Sequence, residues 1–132
     1  MKAVPKLVFM CLLAFLLCGL SSRFGIKVVR QEHGQVSFEL SKFHVIGGAN
    51  DVDVNSFLVA EKNETGQWDY KNPMWAFELS PGSSKPLSKI TYGQAPMGFT
   101  ETTKAKPLIR GVHYLAVGLS PGSGGSAEFV AR

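Results

Sequence analysis

Residues 74–92, MWAFELSPGSSKPLSKITY, decide how the rest of the chain is read. Trp75, Phe77 and Leu79 recur at period 2, which places them on one face of a β-strand. Pro81-Gly82 follows, pairing a fixed φ with a residue free of Cβ, as a tight turn requires. The stretch therefore predicts a strand, a turn and a second strand of a hairpin. LSPGS occupies 79–83 and returns at 119–123, each time after an apolar run, so the second half of the chain is expected to be a sheet built from similar strand ends.

The same period extends towards the N-terminus. Residues 23–31, RFGIKVVRQ, form an expected first strand. In QVSFELSKF, Val36, Phe38 and Leu40 alternate with Ser37, Glu39 and Ser41, the pattern of a half-buried strand. Phe43, Val45 and Ile46 continue it after a register change, and Gly47-Gly48 ends it. Residues 50–55, NDVDVN, read as a hydrated turn before a strand over 56–62. The D-x-D-x-N spacing invites a calcium loop, but Ser56 stands at its glycine position and Lys62 at its bidentate glutamate position, so no metal is expected. The strand over 87–92 divides its faces less cleanly and is expected near an edge. VHYLAVGL at 112–119, a Gly-rich turn, and a closing strand SAEFVA at 126–131 complete the sequence.

About seven strands and no long helix predict an all-β domain. The expected form is a small immunoglobulin/fibronectin-like antiparallel β-sandwich, with a small open β-barrel as the alternative. Trp75, Phe77 and Leu79, with Tyr114 and Phe129 from the later strands, are the expected core anchors.

MKAVPK followed by LVFMCLLAFLLCGL has the basic start and short apolar run of a secretory signal, shorter than a spanning helix needs. Cleavage after Ser21 leaves a single domain over 22–132 and removes both Cys11 and Cys18, so the mature domain is expected to hold together without a disulfide. The alternative is lipidation of Cys18, although Leu17 stands where such signals favour a small residue. The formal charge is +4, two of it from Lys2 and Lys6, and the remaining basic residues are scattered, which speaks against a nucleic-acid partner.

Residues 63–72, NETGQWDYKN, read as a polar loop carrying Trp68 and Tyr70, whose apolar bodies and polar ends suit either the rim of a core or a contact surface. Met97 and Phe99, in GQAPMGFTETTKAKP, cover the sheet end or form a small partner site. These four are the candidate ligand-binding residues. Asn63-Glu64-Thr65 also matches a glycosylation acceptor.

ITYGQAPMGF at 90–99, followed by KPLIRGVHYLAV and a Gly-rich turn before AEFVA, resembles the C-terminal half of small uncharacterised exported proteins of Gram-negative bacteria. The resemblance covers about half of the chain, mainly residues 75–131. It implies a periplasmic, secreted or lipid-anchored location in the cell envelope and carries no catalytic activity.

His33, His44 and His113 are dispersed and lack a ligand motif, and there is no nucleophile elbow, phosphate loop or dinucleotide fingerprint, so no cofactor is expected. The leading expectation is a non-catalytic envelope module that binds a protein or glycan partner or serves a structural role. The alternative is a small hydrolase, metal-dependent or not, in which His44, Asp51 and Asp53 converge.

Overall fold

The computed structural model describes residues 22–30, 34–42 and 51–132. The expected signal segment, Cys11, Cys18, His33, His44 and the continuation through Phe43, Val45 and Ile46 lie outside the described residues.

The strands are β1 (Ser22–Arg30), β2 (Val36–Lys42), β3 (Val52–Val54), β4 (Ser56–Glu61), β5 (Trp75–Glu78), β6 (Lys85–Leu87), β7 (Lys89–Thr91), β8 (Thr100–Thr103), β9 (His113–Ser120) and β10 (Ser123–Val130). Eight form one curled sheet in the order β7-β2-β1-β10-β9-β4-β5-β8, and β3 pairs with β6. The fold is all-β, a sandwich whose two layers join along one side into a half-open barrel.

Ten strands stand where about seven are expected; seven remain when the separate β3–β6 pair and the edge strand β8 are set aside. Among the seven, the first, second and fifth (β1, β2, β7) form one layer. The third, sixth and seventh (β4, β9, β10) form the other, with β5 beside β4. This is an immunoglobulin-type division. The pairing is antiparallel except where the layers join: Ser22 pairs with Ser123 and Arg23 with Gly124 in parallel, after which β1 pairs with β2 alone. At the far end, the Arg30 guanidinium donates to the Val130 carbonyl and ties the two strands again.

Tyr114 gives a second mark of the same architecture. It is fully buried near the start of β9, and its hydroxyl accepts the Ile109 N–H at 2.8 Å, five residues upstream. Such a tyrosine corner fixes the entry to the sixth main strand of immunoglobulin-type domains.

The core is an aromatic chain running between the layers. Tyr114 packs on Phe129 at 5.6 Å, Phe129 on Phe38 at 5.5 Å, Phe38 on Phe57 at 5.2 Å, and Phe57 on Phe77 at 5.6 Å. Trp75 and Phe77 lie on one face of β5 with centroids 5.1 Å apart. Rings at these separations gain contact energy beyond the area they bury. Trp75, Phe77, Tyr114 and Phe129 are all buried. Leu79 is only half-buried, because β5 ends at Glu78 and Leu79 already belongs to the turn, where its N–H donates to the Asn55 carbonyl.

Three local expectations require correction. Residues 74–92 are not a hairpin. β5 pairs with β4 and β8, while β6 pairs with β3 and β7 with β2. Asn55 explains the departure: its Nδ2 donates to the carbonyls of Ser80 (3.0 Å) and Ser83 (2.7 Å), holding the Pro-Gly turn over the β3–β4 junction so that the chain crosses to the other layer. Ile90 then becomes buried on β7, which lies at an edge of the sheet order, as expected.

The segment read as a hydrated turn contains β3. Val52 and Val54 are buried, while Asp51 and Asp53 are exposed. The period-2 signal lies in the valines between the acids.

The glycine run after Pro121-Gly122 is strand, not turn. Ser120 pairs with Ser123 around a two-residue connection, and Gly125 pairs with Gly118 across β9 and β10. These two glycines leave room for Phe24: a Cβ on Gly118 would lie 3.0 Å from its ring, and one on Gly125 would lie 2.6 Å from its carbonyl oxygen.

Candidate functional site

The connection from β7 to β8 presents the most exposed large apolar side chain among the described residues, Met97, at 94% exposure. It starts at Thr91, whose carbonyl accepts the Gln94 N–H at 3.0 Å, and ends in a second turn where the Pro96 carbonyl accepts the Phe99 N–H at 3.1 Å. Gly98 has φ +92 and occupies the third position of that turn, so its backbone enters a region that favours glycine. Together these define a type II turn with Met97 at its second position.

Both flanks of the loop are braced. Phe99 packs edge-on against Phe77 at 5.0 Å, extending the aromatic chain of the core to the base of the turn. Tyr92 packs on Trp75 at 5.3 Å, and its hydroxyl donates to the Lys106 carbonyl at 2.6 Å. Since β7 and β8 end the sheet order, this contact fastens its two open ends together. Burial, followed by the nearby Tyr114, pushes the Tyr92 pKa up to about 12 against the lowering effect of the Lys106 hydrogen bond. The Lys85 side chain runs beside Gly98 and adds a cation at the edge of the turn.

β8 supplies a further support. Trp75 is fully buried, and its indole N–H donates to the Glu101 carboxylate at 2.8 Å. Glu101 lies opposite Phe77, and the β5–β8 register shifts between Ala76 and Phe77. Neither the Glu101 contact nor the Tyr92 contact has a local pattern in the sequence. Gly98, three residues after Ala95-Pro96 begins, is the signal that marks the turn.

Trp68 and Tyr70 occupy the opposite end of β5. They lie in the connection from β4, where Lys62 and Trp68 form an antiparallel bridge and the Lys62 ammonium stands 5.2 Å from the Trp68 ring centroid. Asn63 Oδ1 accepts from the Thr65 N–H, the Thr65 hydroxyl and the Gln67 N–H, giving the loop internal order. Both aromatics are half-buried, and burial raises the Tyr70 pKa. The fold thus brings Met97 and Phe99 together and separates them from Trp68 and Tyr70.

Asp51, Asp53 and His113 are exposed, and among the described residues no group of three His, Cys, Asp or Glu side chains is placed to hold a metal ion. The Met97 turn offers a polarizable apolar side chain on a braced backbone.

Comparison with protein-family models, with curated proteins and with solved structures gave no match.

Proposed function

We propose that the protein is a non-catalytic binding module of the bacterial cell envelope, exported by its N-terminal apolar segment, and that it recognises a protein partner through the Met97 turn. The observation that carries this reading is Met97 itself, 94% exposed on a turn anchored by Phe99 to the core. A side chain of this size gains nothing from water, whereas in a partner's pocket it contributes burial and an adaptable thioether contact. Methionine and aromatic residues are enriched in the buried centres of protein interfaces. A glycan platform would need an open aromatic face, and Lys62 lies over Trp68.

The test is affinity purification of the tagged full chain from its native envelope, with and without Met97→Asp. The substitution should reduce retention of the partner about tenfold or more, the effect of losing a central apolar contact, with the thermal transition unchanged. Equal retention by both chains would overturn the reading.

A further inference from the structure

We infer that Met97 is a site of reversible oxidation, by which a peroxide-class oxidant switches off the contact proposed above; the switching part of this inference rests on that contact reading. The described residues contain two methionines in opposite environments. Met74 is 4% exposed at the head of β5, with its N–H donating to the Val59 carbonyl and its own carbonyl accepting from Lys106. Met97 is 94% exposed. Attack on a peroxide requires the sulfur to meet the oxidant, so exposure sets the order of reaction.

In the reaction, the Met97 sulfur lone pair attacks one peroxide oxygen. With hydrogen peroxide, an S–O bond forms, the O–O bond breaks, and the departing hydroxide takes up the proton that the transferred oxygen gives up, leaving as water. Methionine is oxidised by two electrons and the peroxide is reduced by two. The product sulfoxide is polar and a hydrogen-bond acceptor, and methionine sulfoxide reductases reverse its formation. At a buried methionine this change disrupts a core. Here it falls on a side chain that supports none of the aromatic chain, so the fold stays intact while the contact surface changes from apolar to polar.

The full chain is treated with hydrogen peroxide, sulfoxide is followed at each methionine by peptide mass spectrometry, and partner retention is measured in parallel. Met97 should oxidise on the order of tenfold faster than Met74, with an unchanged thermal transition and reduced retention that a sulfoxide reductase restores. Met97→Leu removes the sulfur, so whatever retention that chain shows should be the same with and without peroxide. Met97→Gln, a polar side chain of similar length, should lose retention without oxidant. Oxidation of Met74 as fast as Met97, or loss of retention by the Met97→Leu chain in peroxide, would overturn the switch. Full retention by Met97→Gln would overturn the contact reading itself, leaving the oxidation order as a separate result.

Discussion

Trp75 has no solvent exposure, yet its indole N–H is satisfied by Glu101, a residue on an edge strand. Replacing Glu101 with Ala leaves a buried donor unpaired and should cost about 1–3 kcal/mol. Glu101→Gln keeps an acceptor and should cost less, and urea unfolding followed by tryptophan fluorescence measures both. Tyr92 carries the larger part of the alkaline pH dependence, and Tyr70, also raised by burial, adds to it in the same direction. Its folded pKa, raised to about 12 from an ordinary 10.0, means that the native chain keeps a proton between those values while the unfolded chain has lost it. The native state binds more protons there, so stability is complete below about pH 10 and falls as pH rises towards 12. Tyr92→Phe should flatten that fall, and at neutral pH should cost about 1 kcal/mol for the lost bond to Lys106. Denaturant midpoints on either side of pH 10 check the sign. An alkaline fall equal in both chains would locate the titration elsewhere.

Strands and turns show where sequence pattern was sufficient and where it was not. Val36, Phe38 and Leu40 marked β2 because that face meets the core and alternation reports it, although Ser37 on the other face is buried as well. The LSPGS echo marked two turns, and both lie at one end of the sandwich: Asn55 bonds to Leu119 through its main chain and to Ser80 and Ser83 through its side chain. What no pattern could supply was the destination of the chain after the first turn, since Asn55 is distant in sequence from the carbonyls that it holds. Gly125 of β10 misled for a related reason: Phe24 crosses it, a contact from a strand distant in sequence. Gly125→Ala should therefore destabilise by about 1–3 kcal/mol, the usual cost of overpacking, because its Cβ would meet the Phe24 carbonyl. Gly118→Ala meets the Phe24 ring at 3.0 Å and the Phe57 ring at 3.4 Å, side chains in both cases, so Phe24→Leu should relieve much of its cost and little of that at Gly125, where the Phe24 carbonyl remains. A double-mutant cycle read by denaturant unfolding separates the two.

At the scale of the molecule, three different contacts hold the curled sheet in its half-open form. The parallel pairing of β1 with β10 joins the layers on one side, Arg30 ties the far end of that seam, and Tyr92 fastens β7 to the segment after β8. The outer edges are poor templates for further pairing, since β7 has only three residues and β8 has an irregular register and is followed by Lys104 and Lys106. Under the proposed function, recognition falls to the loops. The sequence showed an apolar pair in a turn-rich stretch; only the fold shows Phe99 turned into the aromatic chain and Met97 turned out. The most direct test is site-specific photo-crosslinking in intact cells, with the photoreactive residue at Gln94, in the Met97 loop, or at Gln67, at the other end of β5. The proposed contact predicts one dominant protein adduct from Gln94, absent from Gln67 and lost on Met97→Asp. Equal adducts from both positions, or a Gln94 adduct that survives Met97→Asp undiminished, would contradict it.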